Sequence, residues 1–228
     1  LYDLWCETTR LGRDIPEEVQ HLLWSWRTVG TPKGNGDEAR PISVASVWVR
    51  AWHKALLPAF PAVPDAQWCC RSGASVVHAT ADWLARAKTH GMELDLSKAF
   101  DTLNHDVLRS ALSHWGLGSH LVEMLLCAWK GPRFCQVHGE LALPILPARG
   151  IPQGDPCAPL ALVAVLAPWK PSASHWLYMD DRTMTTVEDS GRAGHQLDAA
   201  LDYTVRFDTS CRCAGESEQA AEVEWCAA

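Results

Sequence analysis

Three aspartates stand where short apolar runs end. Asp95 lies within Met92-Glu-Leu-Asp-Leu-Ser, which alternates apolar and polar residues as a strand does, and Asp180-Asp181 closes Trp176-Leu-Tyr-Met. An ionised carboxylate is costly to bury unless something compensates it. If the two runs are neighbours in one sheet, the three carboxylates converge at one edge, repel, and raise one another's pKa values. Two divalent cations about 3.5–4 Å apart would relieve that repulsion, activate a hydroxyl nucleophile and stabilise a phosphate-bearing leaving group. Taken singly, either cluster reads better as solvated turn residues, because turns favour Asp.

The elements that must position these acids can be read along the chain. Asp14 is placed to cap a short helix with Pro16, Glu17 and Glu18 in its first turn. Thr31 to Asp37 reads as a polar loop, and Ser46 to about Leu57 as a helix stopped by Pro58. A second helix is expected over Gly73–Thr89, with Val76, Val77, Thr80, Trp83, Leu84 and Ala87 on one face and Gly91 ending it. Asn104 caps a helix whose Val107, Leu108, Ala111, Leu112 and Trp115 form a stripe, ended by Gly116. Further helices are expected from His120 to Trp129, from Pro156 to Pro168 and from Gly194 to Phe207. Strands are expected at Arg133–His138 and Leu141–Leu146, as a hairpin around Gly139-Glu140, and at His175–Asp181. This order is an α+β pattern.

The chain has 228 residues, enough for one large domain or two small ones. No run reaches about eighteen consecutive apolar residues, so no membrane partner is expected. Leu1-Tyr-Asp-Leu-Trp lacks the pattern of a signal peptide and an initiator Met, as expected of a piece of a longer protein. Nine cysteines, with only Cys211-x-Cys213 as a short spaced pair, do not form a zinc pattern; reduced thiols in an intracellular protein are expected. The net charge of −7 runs against phosphate binding. Its distribution softens this, because Thr183–Ala228 holds nine acids and three basic residues, leaving 18 and 17 before it.

The order of motifs shifts the balance that the acids singly leave open. Glu93-Leu-Asp-Leu-Ser-Lys-Ala-Phe-Asp-Thr-Leu-Asn-His-Asp-Val-Leu resembles the first catalytic motif of reverse transcriptases, especially those of non-LTR retrotransposons and group II introns. Gly150-Ile-Pro-Gln-Gly-Asp-Pro-Cys-Ala-Pro-Leu is similar to their Gly-x-Pro-Gln-Gly-x-Pro-x-Ser-Pro motif, with Ala158 in the Ser place. Tyr178-Met-Asp-Asp matches their Tyr-x-Asp-Asp motif, and Arg40-Pro-Ile-Ser resembles a fingers motif. Gln67 to Ser75 looks like their Gln-x-Gly-Phe segment, with Cys69 and Cys70 where Gly and Phe usually stand. The resemblance covers roughly Ile15 to Phe207.

It implies a right-hand polymerase of α+β class: an N-terminal extension at 1–14, fingers at 15–90, a palm at 91–210 with an antiparallel sheet packed on helices, and an acidic tail at 211–228. It also implies an RNA-directed DNA polymerase that uses an RNA template, a DNA or RNA primer, deoxynucleoside triphosphates and two Mg²⁺ ions, with Mn²⁺ as a substitute. Asp95, Asp180 and Asp181 would be the catalytic metal carboxylates, with the Leu96 carbonyl in one shell. Lys33 and Arg40 would reach the triphosphate, Arg as a planar fork and Lys as a point charge. Phe100 would lie under the sugar and exclude a 2′-hydroxyl, whereas Asp101 would be structural. Gln153 would meet the nucleotide or template, and Gly154 would permit close backbone approach. Tyr178 and Met179 would lie near the primer terminus.

Two features depart from the family pattern. After Phe207 no Lys follows, and Arg212 is a poor proton donor. Only about twenty residues follow Phe207, so no helical thumb is expected within this sequence. Two other readings therefore stand beside the first: a catalytically silent remnant that binds RNA or a partner, and an RNA-dependent RNA polymerase, which Phe100 opposes. Of the twelve tryptophans, Trp48, Trp52, Trp83 and Trp115 are expected in the core, with Trp24 and Trp26 as base-stacking candidates.

Overall fold

The computed structural model describes residues 23–33, 38–86, 90–186, 190–212 and 223–227. The expected N-terminal helix at Asp14, the turn residues 34–37, Ala87 and most of the acidic tail lie outside them. In chain order the elements are β1 (Trp26–Lys33), β2 (Glu38–Ala45), α1 (Val47–Leu56), α2 (Val76–Arg86), β3 (His90–Leu94), α3 (Ala99–Thr102), α4 (His105–His114), α5 (Ser119–Trp129), β4 (Arg133–Val137), β5 (Glu140–Leu141), α6 (Ala158–Leu166), β6 (Ser174–Tyr178), β7 (Asp181–Thr186), α7 (Ser190–Arg212) and β8 (Val223–Ala227). A single 3₁₀ turn at Leu57–Ala59 follows α1.

Two mixed or antiparallel sheets organise these elements. One runs β2-β1-β4-β5 and the other β6-β7-β3-β8. In the second every pairing is antiparallel. Helices α4 and α6 pack together beneath it, and their apolar faces join β3, β6 and β7 in one core that includes Leu108, Leu112, Leu125, Ala161, Leu162, Met92 and Met184. α6 is apolar nearly all round and is buried accordingly. The architecture is α+β, with an antiparallel sheet packed on helices.

Local chemistry explains several boundaries. The Ser46 side chain accepts from the Val49 N–H at the start of α1, and Asn104 accepts from the Asp106 N–H at 2.6 Å at the start of α4. Gly116, at φ +100°, ends the following turn. His138 and Gly139, both at positive φ, form the two-residue loop between β4 and β5 that a type I′ hairpin requires.

Other expectations are corrected. Thr31, Pro32 and Lys33 are strand, paired with Arg40, Ala39 and Glu38, rather than loop. Pairing with β2 holds these residues extended, so the turn composition alone misplaces the boundary. Arg133–Val137 pairs in parallel with β1 as well as with its hairpin partner, and so extends the first sheet. α2 begins at Val76, three residues after Gly73, which is a positive-φ turn residue. Its Val76, Val77 and Leu84 are exposed, and Ala79 is the buried position. Trp48 is 72% exposed, whereas Trp26 is 1% exposed with its indole N–H donating to the Ala128 carbonyl at 2.7 Å. Trp26 is therefore a core residue and cannot stack on a base, while Trp24 packs beside Trp52 at 5.6 Å between ring centroids.

Candidate active site

The carboxylates meet because of strand register. β6 and β7 form a hairpin in which Tyr178 pairs with Asp181, leaving Met179 and Asp180 as its two-residue turn. β3 lies on the other side of β7, with Leu94 opposite Arg182. One further step of that antiparallel register sets Asp95 across from Asp181. Two separate runs of sequence thus deliver three acids to one end of the palm sheet.

Their electrostatics follow from this placement. Partial burial raises the Asp180 carboxyl above its usual range, and the neighbouring charges of Asp181 and Asp95 raise it further. A backbone hydrogen bond and Arg182 oppose the rise without cancelling it. The Asp181 carboxyl is likewise raised, first by loss of solvent and then by Asp95. Arg182 cannot serve as the missing counter-charge. It is buried, and its two terminal nitrogens donate to the two Asp208 oxygens at 2.7 Å each, while its guanidinium lies 5.3 Å from the Trp169 ring centre. An excess of negative charge therefore remains at the sheet end, and hard divalent cations with oxygen ligands match it. Asp95 and Asp181 are exposed and Asp180 half-buried, so a cation can reach all three.

The turn carrying Asp180 is itself unusual. Met179 has φ +61°, a left-handed conformation that costs a non-glycine residue roughly 1–2 kcal/mol. Gln67 holds it from behind. Its amide nitrogen donates to the Met179 carbonyl at 3.1 Å, and its amide oxygen accepts from the Met179 N–H at 3.0 Å and from the Cys69 N–H at 3.1 Å. Gln67 is 2% exposed, and residues 66–68 run beside β6 through Leu177 N–H to Ala66 and Trp68 N–H to Leu177 bonds. The sequence offers Gln67 only as the first residue of a weakened motif; a glutamine followed by an apolar residue near a strand gives no local sign of this long-range clamp.

The loop bearing Gln153 is seated between the two sheets. Gly150 N–H donates to Leu103, Ile151 N–H to Phe100 at 2.7 Å, and Ser43 N–H on β2 donates to the Gln153 carbonyl at 2.6 Å. Gly154 has φ +114°, and a Cβ there would lie 2.7 Å from the Ser43 carbonyl oxygen. The close approach that Gly154 permits is thus to β2 of the protein itself. The Gln153 amide donates to Asp101 at 3.1 Å, which ties this loop to α3, directly after the Asp95 strand. Phe100, half-buried in α3, packs against the core. Leu96 is buried, and its carbonyl accepts from Ala99 N–H at 3.0 Å, which leaves one lone pair for another partner.

Asp155 fastens the same loop from below. Its carboxylate accepts from His53 at 2.7 and 2.8 Å, from the Trp129 indole and from the Cys157 N–H at 2.8 Å. The Cys157 thiol donates to the His53 carbonyl at 3.2 Å, and burial pushes its pKa up, so it stays protonated. His53, Asp155 and Cys157 bring their ligand atoms within 4.8 Å of one another. A protonated thiol and a carboxylate already committed to three donors suit a structural network better than a cation. Of the remaining expected residues, Lys33 and Arg40 lie on the first sheet and Tyr178 on the second. Arg40 is exposed on β2, Lys33 ends β1 with its side chain outside the described residues, and Tyr178 ends β6 half-buried.

A sequence model of the family "Reverse transcriptase (RNA-dependent DNA polymerase)" matches residues 31–207. That match spans most of the chain and all three acids, with every described strand except β8 and the first part of β1, and the chain belongs to this family. No curated protein matches it. Family membership makes it a nucleotidyltransferase-type polymerase domain whose general substrates are a nucleic acid template and primer and nucleotides, and members of the family generally work with divalent metal ions. Among the described residues no helix is long and apolar enough to cross a membrane.

Proposed function

We propose that this domain adds deoxynucleotides to a primer 3′-hydroxyl on an RNA template, as part of a retroelement of the non-LTR or group II intron type. The observation that carries this is the convergence of Asp95, Asp180 and Asp181 at one sheet end with an uncompensated charge. Asp95, Asp180 and Asp181, with the Leu96 carbonyl, would hold two Mg²⁺ or Mn²⁺ ions. When bound, these ions would lower the pKa of the primer hydroxyl and neutralise charge developing on the phosphates. The protein's own part is positioning. Gln67 fixes the turn that aims Asp180, and Asp101 fixes Gln153, which would meet the nucleotide or template. Lys33 and Arg40, on the β1–β2 hairpin, would bind the triphosphate as counter-charges. The Phe100 ring would exclude a 2′-hydroxyl by sterics, and Tyr178 and Met179 would border the primer end.

Extension of a primer on an RNA template, with deoxy- and ribonucleotides compared in the parent and in Phe100→Ala, tests this reading. Deoxynucleotide preference in the parent, relaxed in Phe100→Ala, supports it. Ribonucleotide preference in the parent would instead indicate an RNA-dependent RNA polymerase. Template binding without extension, in Mg²⁺ and in Mn²⁺, would indicate a silent remnant.

A further inference from the structure

Two adjacent thiols lie behind the catalytic turn. Cys69 is half-buried and Cys70 exposed, both are unbridged, and their sulfurs are 3.5 Å apart. Cys70 holds φ +61°, a left-handed backbone that a non-glycine residue adopts at a cost. The Cys69 sulfur is also 4.0 Å from the Met179 Sδ, and the Cys69 N–H shares the Gln67 amide oxygen with Met179 N–H. Three soft sulfur atoms therefore cluster at the turn that carries Asp180.

The geometry points to a binding site for a trivalent thiophilic metalloid, such as an arsenical, chelated by Cys69 and Cys70 and sensed by Met179. Soft ligands of this kind select soft acceptors over the hard cations that suit the carboxylates. A direct disulfide fits less well. Adjacent Cα atoms across a trans peptide are about 3.8 Å apart, below the roughly 4.4–6.8 Å that ordinary disulfides span. A bridging atom asks for less movement. Two bonds of about 2.3 Å, the length of a metal–thiolate bond, would span the observed 3.5 Å with an angle of roughly 100° at the bridge. That bend suits a pyramidal trivalent centre and not a linear one. The reaction with a monosubstituted arsenous oxide balances without any redox step. Two As–S bonds replace the As–O double bond, and the two thiol protons leave with the oxygen as water.

This inference does not rest on the polymerase reading, and its test needs no activity. The full chain is treated with phenylarsine oxide, washed with excess monothiol, and its intact mass compared with those of Cys70→Ser, Cys69→Ser and Cys127→Ser. The parent and Cys127→Ser should retain one adduct more than either Cys70→Ser or Cys69→Ser, and a small dithiol should release it. Equal adduct counts in the parent and Cys70→Ser would overturn the site, including the case in which Cys211 and Cys213 do the binding. Because Cys70 is exposed, Cys70→Ser should fold as the parent does. A second readout follows the four methionine methyls by ¹³C NMR, with Met179 assigned through Met179→Leu. The Met179 signal should move on arsenical addition in the parent and stay in Cys70→Ser. An unmoved Met179 signal in an adduct-bearing parent would overturn the coupling to the turn.

Discussion

Replacing Gln67 by Met keeps the side-chain volume and removes both polar ends. Three hydrogen bonds are lost, two to the Met179 backbone and one from Cys69. At about 0.5–1.5 kcal/mol each they contribute roughly 1.5–4.5 kcal/mol. The left-handed Met179 costs roughly 1–2 kcal/mol against that, so the clamp and the strain are of similar size. Without the clamp the turn should relax and shift the Asp180 carboxylate. A displacement of about 1 Å at a reacting centre costs on the order of 100-fold in rate. Single-nucleotide extension at saturating deoxynucleotide should therefore slow by about 10- to 100-fold in Gln67→Met. Stability should fall by about 1–3 kcal/mol, or Tm by roughly 3–10 °C. Circular dichroism and a thermal melt verify that the variant is folded at the assay temperature. Extension within about twofold of the parent by a folded Gln67→Met, with an unchanged Tm, would refute the clamp.

Three further outcomes follow from the same structure. Asp208→Ala strands the buried Arg182 charge and should cost about 3–5 kcal/mol in urea unfolding, whereas Arg182→Met with Asp208→Leu should recover much of that. Gly154→Ala sets a Cβ against the Ser43 carbonyl at a φ of +114°, so it should destabilise by roughly 1–3 kcal/mol in the same assay and lower extension. His105 is buried, and loss of solvent lowers its pKa below the unfolded value although its bond to the Gly150 carbonyl opposes this. The unfolded chain then binds the extra proton first. Stability is full above about pH 6.5 and is lost as pH falls through the folded value. A urea midpoint series should show that step in the parent and not in His105→Gln.

The carboxylates were legible in the sequence because their motif order is fixed by chain direction, and the cap at Asn104 because it acts within one turn. The rest depended on partners far away in sequence. β7 reads as a polar Thr-rich run, yet five of its six residues are buried, since threonine suits a strand flanked on both sides. The periodicity of α2 marks a face without saying what covers it, and Val77 remains 74% exposed. Trp26 resembles any surface tryptophan near a loop until Ala128, a hundred residues on, takes its N–H. Gln67 and the Arg182–Asp208 pair were hidden for the same reason: a side chain's type gives its bonding capacity and not its distant partner. β8 joins the palm sheet beside β3 from within a segment whose acidic composition suggested only a tail.

The most direct test of the central claim is single-nucleotide extension on an RNA template, in Mg²⁺ and in Mn²⁺, by the parent and by folded Asp95→Asn, Asp180→Asn and Asp181→Asn. Removing a metal carboxylate forfeits several kcal/mol of transition-state stabilisation, so Asp95→Asn and Asp180→Asn should each lose roughly 1000-fold or more, with Asp181→Asn losing less. Extension that survives Asp95→Asn or Asp180→Asn would contradict the assignment of this sheet end as the metal-dependent catalytic centre.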